Sequence, residues 1–110
     1  MQNKIKLKQN DTRPYLKIKL VDEDGNNVDL TSATVTFTMR NRSTGTVKVN
    51  AGSCTVTSAS AGEVEYRWGS TDLNTVGVYD GEFQITFGDA SILTLPANEY
   101  IEVEISDDLS

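Results

Sequence analysis

From Tyr79 to Phe87 the chain alternates without a break. Tyr79, Gly81, Phe83, Ile85 and Phe87 fall on one face, and Asp80, Glu82, Gln84 and Thr86 on the other. A period of two is what a strand with one buried side requires, and no helix would gather those residues together. The same period recurs along the chain in shorter pieces. Residues 3–9 set Ile5 and Leu7 between Lys4, Lys6 and Lys8, and residues 15–21 turn Leu16, Ile18 and Leu20 inward with Lys17 and Lys19 outward. Residues 33–40 bury Val35, Phe37 and Met39 against Thr34, Thr36, Thr38 and Arg40. Two short strands, 46–50 and 54–58, are expected to flank a turn at Ala51-Gly52, and residues 63–68 alternate Val64, Tyr66 and Trp68 with Glu63, Glu65 and Arg67. After residues 91–96, the last strand, 100–105, sets Ile101, Val103 and Ile105 against Glu102 and Glu104, followed by the polar tail DDLS. Pro14, Asp24-Gly25, the run Asn41 to Gly45, Gly88-Asp89 and Pro96 punctuate the strands as turn and stop signals. Eight or nine short strands at intervals of about 8–12 residues predict an all-β sandwich of two antiparallel sheets. The chain's 110 residues form a single domain, 1–110, with one core.

The approach to the strongest strand carries more detail. Leu73, Gly77, Tyr79 and Gly81 resemble the way immunoglobulin-like sandwiches enter strand F. That resemblance implies a tyrosine closing one end of the core, its hydroxyl bonded back to the preceding loop. Gly81 stands where an antibody domain has its second cysteine, so no inter-sheet disulfide is expected. Trp68 precedes strand F, so it is not the strand-C tryptophan of antibody domains. It reads as a large core filler, with sugar stacking as the alternative because the loop GSTDLNT follows it.

Catalytic raw material is scarce. The chain has no histidine and one cysteine, Cys54, which excludes an intramolecular disulfide, a Cys/His zinc site and any His-based triad. Cys54 alternates with Val56 and reads as a small buried apolar residue. Glu63 with Glu65, and Glu102 with Glu104, are spaced about 7 Å apart on a strand face, as in some glycosidases. They are expected on open, solvated faces with nothing to raise a pKa. Asp22, Asp24, Asn26 and Asp29 faintly suggest a calcium loop, but the twelfth position holds Ala33, and an acidic turn is the plainer reading. The expectation is no enzyme, no cofactor and no metal.

Charge is unevenly spread. Residues 1–20 carry six basic residues against one acidic, a net of +5, and the remainder carries four basic against fifteen acidic, a net of −11. A nucleic-acid binder would show a dense basic face interleaved with aromatics, which this chain lacks. No apolar run approaches the roughly 20 residues that span a bilayer. The start MQNKIKLKQN has no apolar core after its basic residues, so a soluble chain without a secretory signal is expected. The basic segment is expected to meet an acidic surface, either on its own domain or on a neighbouring subunit. Residues 1–10 are therefore an edge strand or a basic arm that adds a strand to a partner. The candidate partner-binding residues are Lys4, Ile5, Lys6, Leu7, Lys8, Arg13, Lys17 and Lys19. Removal of residues 1–9 is expected to leave a folded domain that no longer assembles.

Four stretches carry a family resemblance: Asn10-Asp-Thr-Arg-Pro14, the run from Val28 to Phe37, the Tyr-Asp-Gly-Glu-Phe run from Tyr79, and Tyr100-Ile-Glu-Val-Glu-Ile105. Together they resemble the immunoglobulin-like N-terminal domain of phage baseplate upper proteins and related tail and virion proteins. The resemblance implies a non-enzymatic virion structural protein, made in the host cytoplasm. It implies docking onto other virion proteins, a homo-oligomer in the particle, and anchorage of host-recognition or fibre parts. The alternative is a carbohydrate-binding adhesion or capsid-decoration module using Trp68, Asp72, Asn74 and Tyr100.

Overall fold

The computed structural model describes residues 4–96 and 100–107. The expected first-strand residue Asn3 and positions 108–110 of the tail lie outside them. The described residues hold nine strands and no helix: β1 (Lys4–Lys8), β2 (Leu16–Lys19), β3 (Thr34–Asn41), β4 (Val47–Ser53), β5 (Thr55–Ser58), β6 (Glu63–Tyr66), β7 (Gly77–Thr86), β8 (Ile92–Leu95) and β9 (Ile101–Ser106). They form two sheets, a larger one in the order β1-β9-β7-β3-β4 and a smaller one in the order β2-β6-β5. The strand β3 covers one side of β7 from Tyr79 to Thr86, so β8 and β9 line up end to end along the other side. The expected immunoglobulin-like sandwich is what forms, with one departure in pairing. The strand β1 runs parallel to β9, Lys4 opposite Glu102 and Lys8 opposite Ser106, while the other paired strands are antiparallel.

The inward positions meet as the alternation requires. Phe37 lies at the centre, fully buried, with ring centroids 5.2 Å from Tyr66, 6.0 Å from Trp68 and 5.0 Å from Phe83. Trp68 is a core filler, 5% exposed, and its indole N–H donates to the Pro14 carbonyl at 3.0 Å. A buried indole needs such an acceptor, and Pro14 leaves its carbonyl outside any ladder. Tyr79 is 1% exposed, and its hydroxyl donates to the Thr75 carbonyl at 2.9 Å, the loop-closing bond implied by the strand-F entry. Tyr79→Phe should therefore cost about 1 kcal/mol, the net worth of one buried hydrogen bond. Urea unfolding at constant m-value would measure it, and an unchanged midpoint would show that the loop does not depend on the bond.

The segment around Ala51-Gly52 differs from expectation. It is no turn between two paired strands. The strand β4 runs through it to Ser53, and the chain then crosses at Cys54 into β5 of the other sheet. Between Phe37–Gly52 and Met39–Val49 two residues of β4 oppose one of β3, a bulge at which Ala51 takes φ 51° and its N–H donates to the Thr38 hydroxyl at 3.0 Å. Gly52 is required by close approach, since a Cβ there would lie 2.6 Å from the Tyr66 ring. The alternation of 46–50 with 54–58 is thus real, but its two halves serve opposite sheets. Burial pushes the Cys54 thiol up to about 12, which suits an unreactive packing residue.

Candidate docking surface

The lysine-bearing strands are the sheet edges. The strands β1 and β2 end their respective sheets. They face each other across a narrow cleft lined by Lys4, Ile5, Leu16, Lys17, Ile18 and Ile101. Leu7, Leu16 and Ile18 turn into the core, while Ile5 is half-buried at the seam. Lys4, Lys6, Lys8, Arg13, Lys17 and Lys19 are exposed. Of the eight residues singled out for partner binding, seven take outer or seam positions, the β1 lysines off the larger sheet and Lys17 and Lys19 off the smaller one. Leu7 serves the core instead, so its side chain is not available at a surface.

The strands next to these edges carry the carboxylates. Lys4 and Lys6 sit opposite Glu102 and Glu104 of β9, and Lys17 and Lys19 opposite Glu65 and Glu63 of β6. Part of the acidic surface that the basic segment meets is therefore on its own domain. Lys4 Nζ lies 3.0 Å from Glu102, which also receives Arg42 at 3.1 Å, and Arg42 holds Asp80 at 2.8 Å. Among the described residues Lys6, Lys8, Arg13, Lys17 and Lys19 form no ion pair.

Glu65 departs from expectation. It is 8% exposed rather than solvated, and its carboxylate accepts from Arg67 Nε at 2.8 Å. The guanidinium groups of Arg67 and Arg13 lie 5.5 and 5.6 Å from the centroid of the Tyr15 ring. Tyr15 and Arg67 gave no sequence signal as part of this surface, because their contacts join a strand end to the turn before β2. Pairing with Arg67 satisfies the buried carboxylate and leaves Lys17 to solvent.

The hydrogen bond and charge of Lys4, then those of Arg42, hold the Glu102 carboxyl below the ordinary glutamate range. The Asp29 and Asp89 carboxyls are likewise lowered by hydrogen bonds from Thr31 and Ser91. A depressed folded value means that the stabilisation is fully present above the unfolded value and is lost as pH falls through the folded one. Acidification below the ordinary carboxylate range should therefore lower the melting temperature, and Glu102→Gln should make that acid limb shallower. Added salt should shrink the Glu102 contribution, since the pair is open to solvent. Identical acid limbs for wild type and Glu102→Gln would remove Glu102 from the account.

The acidic turn is closed by itself. Asp22 Oδ1 accepts from the N–H groups of Asp24 and Asn26 at 3.0 and 2.9 Å, and Asp29 Oδ1 from the Thr31 N–H and hydroxyl at 3.0 and 2.7 Å. Among the described residues no three acidic or thiol groups come close enough together to hold a metal ion.

The residues considered for glycan binding do not converge. Trp68 is buried. Asp72 accepts from the Tyr66 hydroxyl at 2.6 Å and from the Gly69 N–H at 2.7 Å, which closes its loop. Asn74 pairs with Lys48 and its carbonyl receives Gln9. Tyr100 is 45% exposed beside the start of β9, away from the others, with the Arg40 guanidinium 5.3 Å from its ring centroid and donating to its hydroxyl at 3.3 Å.

Residues 1–106 match the family model described as the BppU N-terminal domain. Among solved structures the chain is similar to CopC from Methylosinus trichosporium OB3b, with a TM-score of 0.53 and 12% identity over 96% of this chain and 87% of that one. That likeness concerns the sandwich alone. No individual curated sequence matches the chain at a significant level.

Proposed function

Since the chain belongs to the BppU N-terminal domain family, a structural domain of the phage baseplate, we propose that it is a non-enzymatic docking module that anchors host-recognition or fibre parts to the particle. It is made in the host cytoplasm and takes its place in the virion in several copies around a symmetric assembly. Docking uses the basic side formed by β1 and β2, with Lys4, Ile5, Lys6, Lys8, Arg13, Lys17 and Lys19 at the contact and Leu7 supporting β1 from within. The observation that carries this reading is the match to a baseplate family over nearly the whole chain, joined to a fold that puts the exposed lysines on the two edge strands flanking one cleft. Charge on that side steers the encounter, and the open strand edges set the register.

The test is charge reversal on exposed positions. A variant with Lys6→Glu and Lys8→Glu, and another with Lys17→Glu and Lys19→Glu, should stay cooperatively folded because no described ion pair is broken, with a melting temperature lowered only by the new like-charge pairs with Glu104, Glu65 and Glu63. Neither should enter particles when supplied to a phage lacking the wild-type copy. Normal incorporation of both variants would remove the basic side as the docking surface.

A further inference from the structure

Charge and strand position are sorted in this fold. The strands with carboxylates at alternate positions are β6 (Glu63, Glu65), β7 (Asp80, Glu82) and β9 (Glu102, Glu104), and each is paired on both sides. The strands with alternating lysines, β1 and β2, are paired on one side only among the described residues. The Leu20 N–H donates to the Gly62 carbonyl at 2.7 Å, continuing the ladder of β2 with β6. In an antiparallel ladder the bonding residues alternate, so Leu16 and Ile18 bond β6 while the N–H and C=O groups of Lys17 and Lys19 face the open side. Beside that open side lies the cleft to β1, its apolar floor made by Ile5, Leu16, Ile18 and Ile101.

We propose that the open edge of β2 takes up an extended acidic segment of another virion protein as an added strand. This rests on the docking role proposed above and names the partner's chemistry. Backbone pairing would run through Lys17 and Lys19. The added strand's apolar side chains would point inward over half-buried Ile5, and its carboxylates outward beside the Lys17 and Lys19 ammonium groups. An alternating apolar and acidic segment meets both demands, because successive side chains of a strand point to opposite faces. Among the described residues a second copy offers no such segment. Its alternating acidic strands have no free edge, and its acidic turn is bonded to itself. The lysines meanwhile keep the open edge from pairing with an identical neutral or basic edge.

The probe is a short synthetic peptide alternating valine with glutamate, compared with a scrambled peptide of the same composition and one with lysine for glutamate. Hydrogen exchange is followed residue by residue on the whole chain. The amides of Lys17 and Lys19 should exchange quickly in the free protein and slow by roughly tenfold or more with the alternating acidic peptide. The variant carrying Lys17→Glu and Lys19→Glu should lose that protection and gain it from the lysine peptide. Binding that shifts the lysine side chains but leaves both amides fast would overturn strand addition and leave a charge-only docking surface standing. Equal protection by the scrambled peptide, or protection at β4 instead, also overturns it. Absence of any binding at millimolar peptide would count against strand addition and the basic docking side together.

Discussion

Truncation of the chain ahead of Gln9 is expected to unfold the domain or leave it barely stable at room temperature. The alternation of lysines with Ile5 and Leu7 predicts that residues 1–9 can be removed without unfolding, but β1 pairs with β9 along its whole length and buries Leu7 to 4% exposure. Loss of a buried leucine alone costs about 2–5 kcal/mol. The five-residue ladder with β9 and the Lys4–Glu102 pair go with it. Set against a total of about 5–15 kcal/mol for a domain of this size, the sum removes much of the folded population. Truncation also bares the edge of β9, so aggregation should accompany unfolding. Circular dichroism and thermal melting of the truncated chain would decide the point. A cooperative melt within a few degrees of wild type would show that β1 is an adherent arm rather than part of the core. The consequence for function is practical. Deletion cannot separate folding from docking here, whereas the lysine reversals can.

Phe37→Ala is expected to destabilise the domain by about 3–5 kcal/mol, since it empties the centre of the aromatic cluster. The more discriminating experiment concerns Gly81, diagonal to it on β7 and opposite Met39. A Cβ at Gly81 would lie 2.7 and 2.8 Å from Cε1 and Cζ of the Phe37 ring, closer than real contacts allow. The ring therefore occupies the volume that a side chain at Gly81 would need. Gly81→Ala should cost about 1–3 kcal/mol by overpacking in the wild-type core. In a Phe37→Leu background the same substitution should cost less, because the smaller side chain frees the volume. The expected coupling is about 0.5–2 kcal/mol, and it is read from urea unfolding of the four proteins in the cycle. Additive costs would show that Gly81 is needed for its backbone alone.

The chain's own residues determined which side of each strand is buried, because alternation is a local property of an extended backbone. Phe37, Phe83, Ile85 and Val103 are all fully buried, and each is inward by its pattern. The tyrosine corner was also legible, since Tyr79 and its acceptor Thr75 are separated by only four residues. So was the gathering of positive charge in the first twenty residues, although not its arrangement. What the tertiary structure decided is everything that depends on partners far along the chain. The order of strands puts β1 beside β9, makes β4 and β5 members of opposite sheets, and places the lysine strands outside the acidic ones. Glu65 lies on an outward position of β6, as its pattern requires, yet is buried because Arg67 folds over it. Gly81 reads as an ordinary small residue until β3 brings the Phe37 ring diagonally over it. A single strand's pattern fixes the direction of its side chains. The choice of neighbour depends on which faces and edges the whole core leaves open, and that choice makes β2, like β1, a lysine strand left with a free edge.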